Sequence, residues 1–396
     1  MGCISKIDIC AVIYYTFSME TNEKNSNYIF VHRVFKGIAD AILRVFVPIL
    51  IYQQTNNLML SFLWAVLDQI FAGIAFVVLK KFIKKYPIIS IILHVFPMVL
   101  GQFLLIGDFS LAKIIIFAFL DGFATCLYYG AINLIFGYMQ ESPSTAKFEI
   151  GYKVGKVIFC ILSAFVLGTV QNSLIFIIIV SSVLYICCAI PLIVRYKQYH
   201  INIDQTKNKF TTAFSNSKWF YFYELSINAV LSFISIVLPL YLYASGLTFS
   251  VTGILMALSD LLGILASLTA ILFSNKKLHK LFLIICSLLM TVTILGILFI
   301  KQNVVIYALT LLLSFAYQGQ FVIMFGFLVN DQKQKHQWQD ALFYRDIISQ
   351  GSRMFITSSY LFFPLFPVAF ALSAISAVGT APLSIKCIRQ YGENLK

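Results

Sequence analysis

Apolar residues run in long, nearly uninterrupted stretches, and polar residues cluster between them. The stretches fall at about 34–53, 58–79, 87–106, 112–137, 151–169 and 173–194, and again at about 219–243, 250–273, 279–299, 303–328, 343–362 and 365–385. Each is close to the roughly 20 residues an α-helix needs to cross the apolar part of a bilayer. They lack the period-two alternation of barrel strands. The pattern predicts an all-α integral membrane protein with twelve transmembrane helices. A polar connection at 195–218 separates a six-helix unit at 34–194 from a second at 219–385, with tails at 1–33 and 386–396.

Composition agrees. Of 396 residues, 60% are hydrophobic and 11% charged, and mean hydropathy is +0.88. Soluble domains carry about 25% charged residues. A soluble fold of this composition could not cover its surface with polar groups. That excludes a secreted, nucleic-acid-binding or cytosolic enzyme domain.

The net charge of +13 changes the picture only through its placement. Lys80, Lys81, Lys84 and Lys85 lie between the second and third stretches, and Lys147 and Lys153 near the fourth connection. Arg195, Lys197, Lys207, Lys209 and Lys218 occupy the central connection. Lys276, Lys277 and Lys280 follow the eighth stretch, Lys333, Lys335 and Arg345 surround the tenth connection, and Lys386, Arg389 and Lys396 end the chain. The alternate connections at 53–57, 168–173, 244–249 and 363–367 carry none of these, with Lys113 and Lys301 as exceptions elsewhere on that side. Basic connections stay cytoplasmic. The expectation is a multi-pass protein of the cell membrane, in contact with the lipid bilayer, with both termini cytoplasmic.

The first 33 residues read as a tail. Residues 9–17 are apolar but about half the length of a span. Met19 opens a polar stretch that reads as an ordinary N-terminus, so the start lies at Met1 or Met19. Lys6 stands where N-myristoylation wants Ser or Thr. The eight cysteines show no paired ligand spacing. No phosphate-binding Gly-rich loop, His-Glu-x-x-His, Gly-x-Ser-x-Gly or Cys-x-x-Cys occurs. The chain is therefore expected to hydrolyse no ATP, to be no enzyme, and to use no cofactor or metal. A monomer that binds no nucleic acid is expected.

The two units share short matches in order. Pro48-Ile-Leu-Ile-Tyr52 corresponds to Pro239-Leu-Tyr-Leu-Tyr243, and Trp64-Ala-Val-Leu-Asp68 to Met256-Ala-Leu-Ser-Asp260. Lys80-Lys81-Phe-Ile-Lys84-Lys85 corresponds to Lys276-Lys277-Leu-His-Lys280, and Phe136-Gly137-Tyr138 to Phe325-Gly326-Phe327. Near-constant offsets predict two pseudo-symmetric six-helix halves, an arrangement known among transporters.

Twelve spans, a six-plus-six repeat, a basic central connection and a basic second connection resemble the major facilitator superfamily. The resemblance covers about 34–390. The family's Gly-x-x-x-Asp-Arg-x-Gly-Arg-Arg signature is degenerate here: Lys80, Lys81, Lys84 and Lys85 keep basic positions, the Asp is missing, and Ile83 replaces the second Gly. Arg44-Val-Phe-Val-Pro48-Ile-Leu-Ile-Tyr52 with Thr55 looks most like the macrolide-efflux-type drug exporters.

An ionisable group near the bilayer centre costs several kcal/mol and marks a functional candidate by default. The resemblance implies that helix 2 meets helix 11 and helix 5 meets helix 8. It thereby suggests interdomain ion pairs Asp68–Arg353 and Asp260–Lys156, formed in one conformation and broken in the other. The alternative is that each charge pairs within its own half. The resemblance also places helices 1, 4, 7 and 10 around a central cavity. Asp40 and Arg44 share a face of helix 1, and Asp121 lies near mid-depth on helix 4. Arg44 is expected to pair with Asp40 or Asp121, with Asp121 binding a proton or a cationic substrate. A permanent Arg44–Asp121 structural pair is the alternative. Asn133, Tyr129, Tyr241 and Gln318 are further substrate-binding candidates. Glu224 is a candidate at the cytoplasmic mouth.

The function these readings imply is secondary active transport of a small, lipophilic compound by alternating access, as proton-coupled export. Uptake of a sugar, metabolite or peptide, an uncoupled lipid-precursor flippase, and a non-transporting scaffold remain open.

Overall fold

Prolines within apolar stretches set where the helices break. The computed structural model describes residues 23–138, 142–169, 173–194, 210–272, 276–300, 302–334 and 338–392. Everything regular among them is helical. α1 (Glu23–Ile42) leads through a 3-10 turn, Arg44–Phe46, into α2 (Val47–Thr55). A proline ring clashes with the carbonyl four residues before it and removes one backbone donor. For Pro48 that carbonyl belongs to Arg44, which is where the turn begins. Next come α3 (Leu58–Lys85), α4 (Pro87–Leu93) and α5 (Val95–Phe103). The break at His94 follows from Pro97 in the same way, because Leu93 is four residues earlier. α6 (Leu111–Tyr138), α7 (Ser142–Thr169) and α8 (Ser173–Val194) complete the first set.

The second set opens with α9 (Phe210–Ser232), kinked at Ser217, then a π-helical turn at Phe233–Val237 and α10 (Leu238–Ala244). Pro239 sits in the first turn of α10, as Pro48 does in α2. α11 (Phe249–Leu272), α12 (Lys276–Phe299), α13 (Asn303–Gln334), α14 (Trp338–Phe362) and α15 (Phe366–Gly392) follow.

Among the described residues, nine helical stretches are long and apolar enough to cross a membrane by length and composition. α1 and α14 fall outside that set because they carry buried charge, and 87–103 is shorter. The chain is a multi-pass membrane protein. The expected tail boundary at residue 34 cuts a continuous helix: α1 begins at Glu23, and Arg33 and Lys36 are fully buried in ion pairs rather than left at a membrane edge. Likewise α9 takes in residues 210–218 of the expected central connection, and α15 runs on to Gly392. The readings on residues 1–22 lie outside the described residues.

Packing places α3 against α6 and α14, and α7 against α1 and α11. α9 lies against α14 and α15, and α12 against α13 and α15. Apolar solvent gives helices little hydrophobic reason to associate, so close backbone approach at small residues carries much of the packing. A Cβ on Gly122 of α6 would stand 2.5 Å from the Asp68 carbonyl oxygen and 2.8 Å from the Ala72 nitrogen of α3. A Cβ on Gly253 of α11 would meet the Ala164 Cβ of α7 at 2.1 Å.

Such positions admit no side chain without separating two helices. Gly122→Val should therefore destabilise the protein by at least the 1–3 kcal/mol typical of overpacking. Gly351→Ala, with nothing within 4 Å of its new methyl group, should leave stability near wild type. Thermal unfolding of both variants in detergent checks this.

Candidate functional site

The α3–α14 contact is antiparallel and fixes the depth of each side chain along it. At one end the Phe62 and Tyr360 rings stack, with centroids 4.1 Å apart. Next the Thr357 hydroxyl donates to Gln69 Oε1 at 3.0 Å. Phe76 meets Phe343 edge-on at 6.4 Å. At the far end the Lys80 and Lys84 ammonium groups lie 2.7 and 3.1 Å from Asp340 Oδ1. Asp68 and Arg353 thus face similar levels, near the middle.

The end with Phe62 is closed by aromatic rings from both sets of helices. Tyr52 meets Tyr243 at 6.1 Å, Tyr360 meets Phe366 at 5.0 Å, and Phe46 meets Phe249 at 5.9 Å. Below this layer a cavity of about 350 Å³ extends from Pro48, Trp64 and Pro239 towards Arg33, Glu149 and Arg345. That volume is within the range of small-molecule pockets, about 300–1,000 Å³. Six cationic and six acidic side chains line it.

Most of these charges are paired. The 3-10 turn after α1 aims Arg44 at α6, where its Nη2 lies 3.2 Å from Asp121 Oδ1 and donates to Thr125 Oγ1 at 2.6 Å. Asp40 instead accepts from Lys36 at 2.6 and 2.7 Å and from the Tyr152 hydroxyl at 2.7 Å, and Tyr185 also donates to it. Arg33 pairs with Glu149 and donates to the Tyr128 hydroxyl at 3.1 Å. Between α7 and α11, Lys153 and Lys156 each lie 2.8 Å from an Asp260 oxygen. On α14, Arg345 lies 3.2 Å from Glu224 of α9 and 3.3 Å from Asp346. Asn133 of α6 donates to both Asp346 oxygens at 3.0 and 3.1 Å.

Two charges stand apart. Asp68 is 5% exposed, and its Oδ1 is buried without a hydrogen-bond partner. The Arg353 Nε is also buried without an acceptor. Among the described residues neither side chain forms an ion pair within 4 Å, so the Asp68–Arg353 pair is not made in this state. Trp64 Nε1 and Gln318 Nε2, both lining the cavity, are likewise buried without partners.

The sequence candidates divide accordingly. Asp40, Arg44, Asp68, Asp121, Tyr129, Asn133, Lys156, Asp260, Gln318 and Arg353 all line the cavity. Tyr241 lies outside the lining, in the aromatic layer against Phe366 and Phe370 at 5.2 and 5.0 Å. Glu224 is buried behind the wall rather than at a mouth: Arg345 Nε lies 3.2 Å from it as an ion pair, and Asn228 donates to it at 2.7 Å. Lys80 and Lys84 bridge to α14, while Lys81 is exposed and Lys85 lies 5.0 Å from the centre of the Tyr86 ring. Sequence reasoning missed Lys153, one turn from Lys156, and the α14 face. Asp346, Ser349, Gln350 and Arg353 recur at the spacing of one helical face, and all line the cavity. The expected span at 343–362 contained all four residues, but of these only Arg353 was weighed as a site residue. Among the described residues no group of three His, Cys, Asp or Glu side chains could hold a metal ion.

No protein-family profile and no curated protein matches the sequence. Solved structures do. A bacterial homologue of the iron transporter ferroportin, in its outward-facing state, is 12% identical, with a TM-score of 0.66 over 93% of this chain and 99% of that one. The same type of protein with soaked iron gives 13% identity and a TM-score of 0.65 over 91% and 98%. The human organic anion transporter MFSD10 (TETRAN) is 10% identical, with a TM-score of 0.61 over 94% of this chain and the whole of that one. At these identities the likeness is one of fold. The chain shares the helical fold of these three structures over more than nine-tenths of its length.

Asp260 is the shared partner of two cations, which makes its role testable. Removing one lysine leaves the carboxylate paired. Removing the carboxylate strands two buried cations, and breaking a buried pair costs about 3–5 kcal/mol. Asp260→Asn should lower the melting temperature in detergent clearly more than Lys153→Met or Lys156→Met.

Proposed function

We propose that the protein is a secondary transporter of small polar molecules that works by alternating access. The observation that carries this reading is the charged cavity within an apolar bundle. Twelve ionisable side chains around about 350 Å³ are costly unless the space serves a polar cargo. The lining favours a polar substrate over the lipophilic one expected from the sequence. The transporter folds of the structural neighbours support the same reading.

Two six-helix halves, 23–194 and 210–392, would rock against each other along the α3–α14 and α7–α11 contacts. The matching breaks at Pro48 and Pro239 support this division. The basic end, with Lys80 and Lys84, would face the cytoplasm by the positive-inside rule. The aromatic layer then closes the outer end in this state. Proton coupling falls to the carboxylates at mid-depth. Arg44 neutralises Asp121, whereas Asp68 has no partner. A lone carboxylate in such surroundings is a natural proton acceptor.

Reconstitution in proteoliposomes tests this reading. A mixed panel of anionic, neutral and cationic metabolites would be offered under an imposed pH gradient, in both directions. At least one compound should accumulate against its gradient and be lost on adding a protonophore. Asp68→Asn should abolish pH-driven accumulation but retain exchange between the two sides. If no compound is redistributed beyond protein-free vesicles, or if a protonophore changes nothing, the reading fails.

A further inference from the structure

Buried hydrogen-bond donors without acceptors on Arg353, Trp64 and Gln318 line the cavity beside buried acceptors without donors on Asp68, Asp121 and Gln350, and this pairing of free donors with free carboxylate oxygens bears on the chemistry of its occupant. Of the six cations on its walls, Arg33, Arg44, Lys153, Lys156 and Arg345 are engaged by carboxylates. Arg353 is not. Its side chain makes no hydrogen bond or ion pair among the described residues, and its Nε is buried. Trp64 Nε1 on α3 and Gln318 Nε2 on α13 line the same cavity, and both are buried donors without an acceptor. Trp64 is held by stacking on Phe117, with centroids 5.8 Å apart, so it is a rigid donor. Buried donors left unmade are expensive, and a planar guanidinium fork matches a carboxylate.

The local charge balance adds a condition. At this level Arg44 and Arg353 offset Asp68 and Asp121. The charges facing Asp68 are Asp121 from α6, Arg44 from the turn after α1, and Arg353 from α14. α2 and α4, which also pack on α3, contain no charged residue. An anion entering this balanced group brings one negative charge too many for a wall of low dielectric. Asp121 is held by Arg44 at 3.2 Å. Asp68 is the carboxylate free to take a compensating proton.

We infer that the cavity takes a small organic acid, its carboxylate seated on Arg353, and that Asp68 carries a proton while the acid is bound. This rests on the transporter reading and names its substrate class. When the acid leaves and Asp68 loses its proton, the guanidinium and the carboxylate are opposite charges at one depth with nothing between them. The Asp68–Arg353 pair then closes, and the empty site is neutral again. Acid and proton move together, which makes the cycle a symport.

Binding to the purified full-length protein in detergent tests the site without transport. The probes are linear monocarboxylates, benzoate and succinate, each beside its neutral amide and its amine, together with simple α-amino acids. One or more acids should raise the melting temperature, and the matched amides and amines should not. Arg353→Gln should weaken acid binding by roughly 30-fold or more, with Arg353→Lys retaining part of it and both variants eluting as monodisperse protein. In weak buffer near neutral pH, binding should take up one proton per acid in the wild type. Asp68→Asn should bind the acid without proton uptake. Acid binding unchanged by Arg353→Gln, equal binding of amides, or no acid binding at all would overturn the inference. So would binding by the amino acids alone, because an ammonium on Asp68 would then replace the proton. Acid binding without transport in vesicles would sink the transporter reading and leave the site. Transport of amides or amines with no acid bound would do the reverse.

Discussion

An ionised side chain inside an apolar bundle must meet an opposite charge, and that requirement organises this protein. Most of the buried pairs join two helical segments. Arg33 and Glu149 link α1 to α7, Arg44 and Asp121 link the first broken helix to α6, and Asp260 holds two lysines of α7 on α11. Arg345 and Glu224 link α14 to α9. In a membrane, lipid tails are as apolar as leucine, so apolar side chains alone specify few partners. Charge pairs do, because a shifted helix would leave one partner stranded at a cost of several kcal/mol. Glycines such as Gly122 and Gly253 then let the specified helices come close.

The same economy explains where the backbone is broken. Irregular backbone at membrane depth is tolerated where protein or a cavity surrounds it. The turns at Arg44–Phe46 and Phe233–Val237 satisfy that condition, since Arg44, Val45, Ser235 and Ile236 line the cavity. The break after α1 also sets the direction of Arg44. On an unbroken helix its side chain would follow Lys36 and Asp40 along one face. With the 3-10 turn it reaches Asp121 and Thr125, which leaves Asp40 to Lys36 and two tyrosines.

Much of the fold was legible in the sequence, because its signals are additive over many residues. Twenty apolar positions in a row, prolines at matched offsets and lysines on alternate connections each survive local exceptions. The helix contacts α3–α14 and α7–α11 that the family resemblance implied are present. What resisted reading were buried charges at the edges of the apolar stretches. Arg33, Lys36, Arg345 and Asp346 look like loop residues to any hydropathy window, yet all four are buried. Arg33 and Asp346 have partners more than a hundred residues away, Glu149 and Asn133, while Lys36 pairs with Asp40 one turn on. The α14 face at 346, 349, 350 and 353 lay within the expected span and was visible as spacing, but spacing alone does not say that the face borders a cavity.

Asp68 and Asp260 close the two matching segments Trp64–Asp68 and Met256–Asp260, and their surroundings differ in a way that bears on movement. Asp260 is gripped by two lysines on the α7–α11 contact, about two helical turns from the close approach at Gly253. Asp68 faces Arg353 across a contact tied at its two ends, by Phe62–Tyr360 and by Lys80 and Lys84 on Asp340, with its central charges unpaired. On the alternating-access reading, a rocking motion needs one contact that keeps its distances and another whose links exchange. A helix contact with a doubly held carboxylate and a glycine approach suits the pivot, because a pair near the axis need not break when the halves tilt. The α3–α14 contact suits the exchanging side, since its end links can open in turn while the central charges take up or release their occupant. A duplicated sequence that kept both acids but gave only one of them two cations would thereby have divided a symmetric scaffold into a hinge and a site.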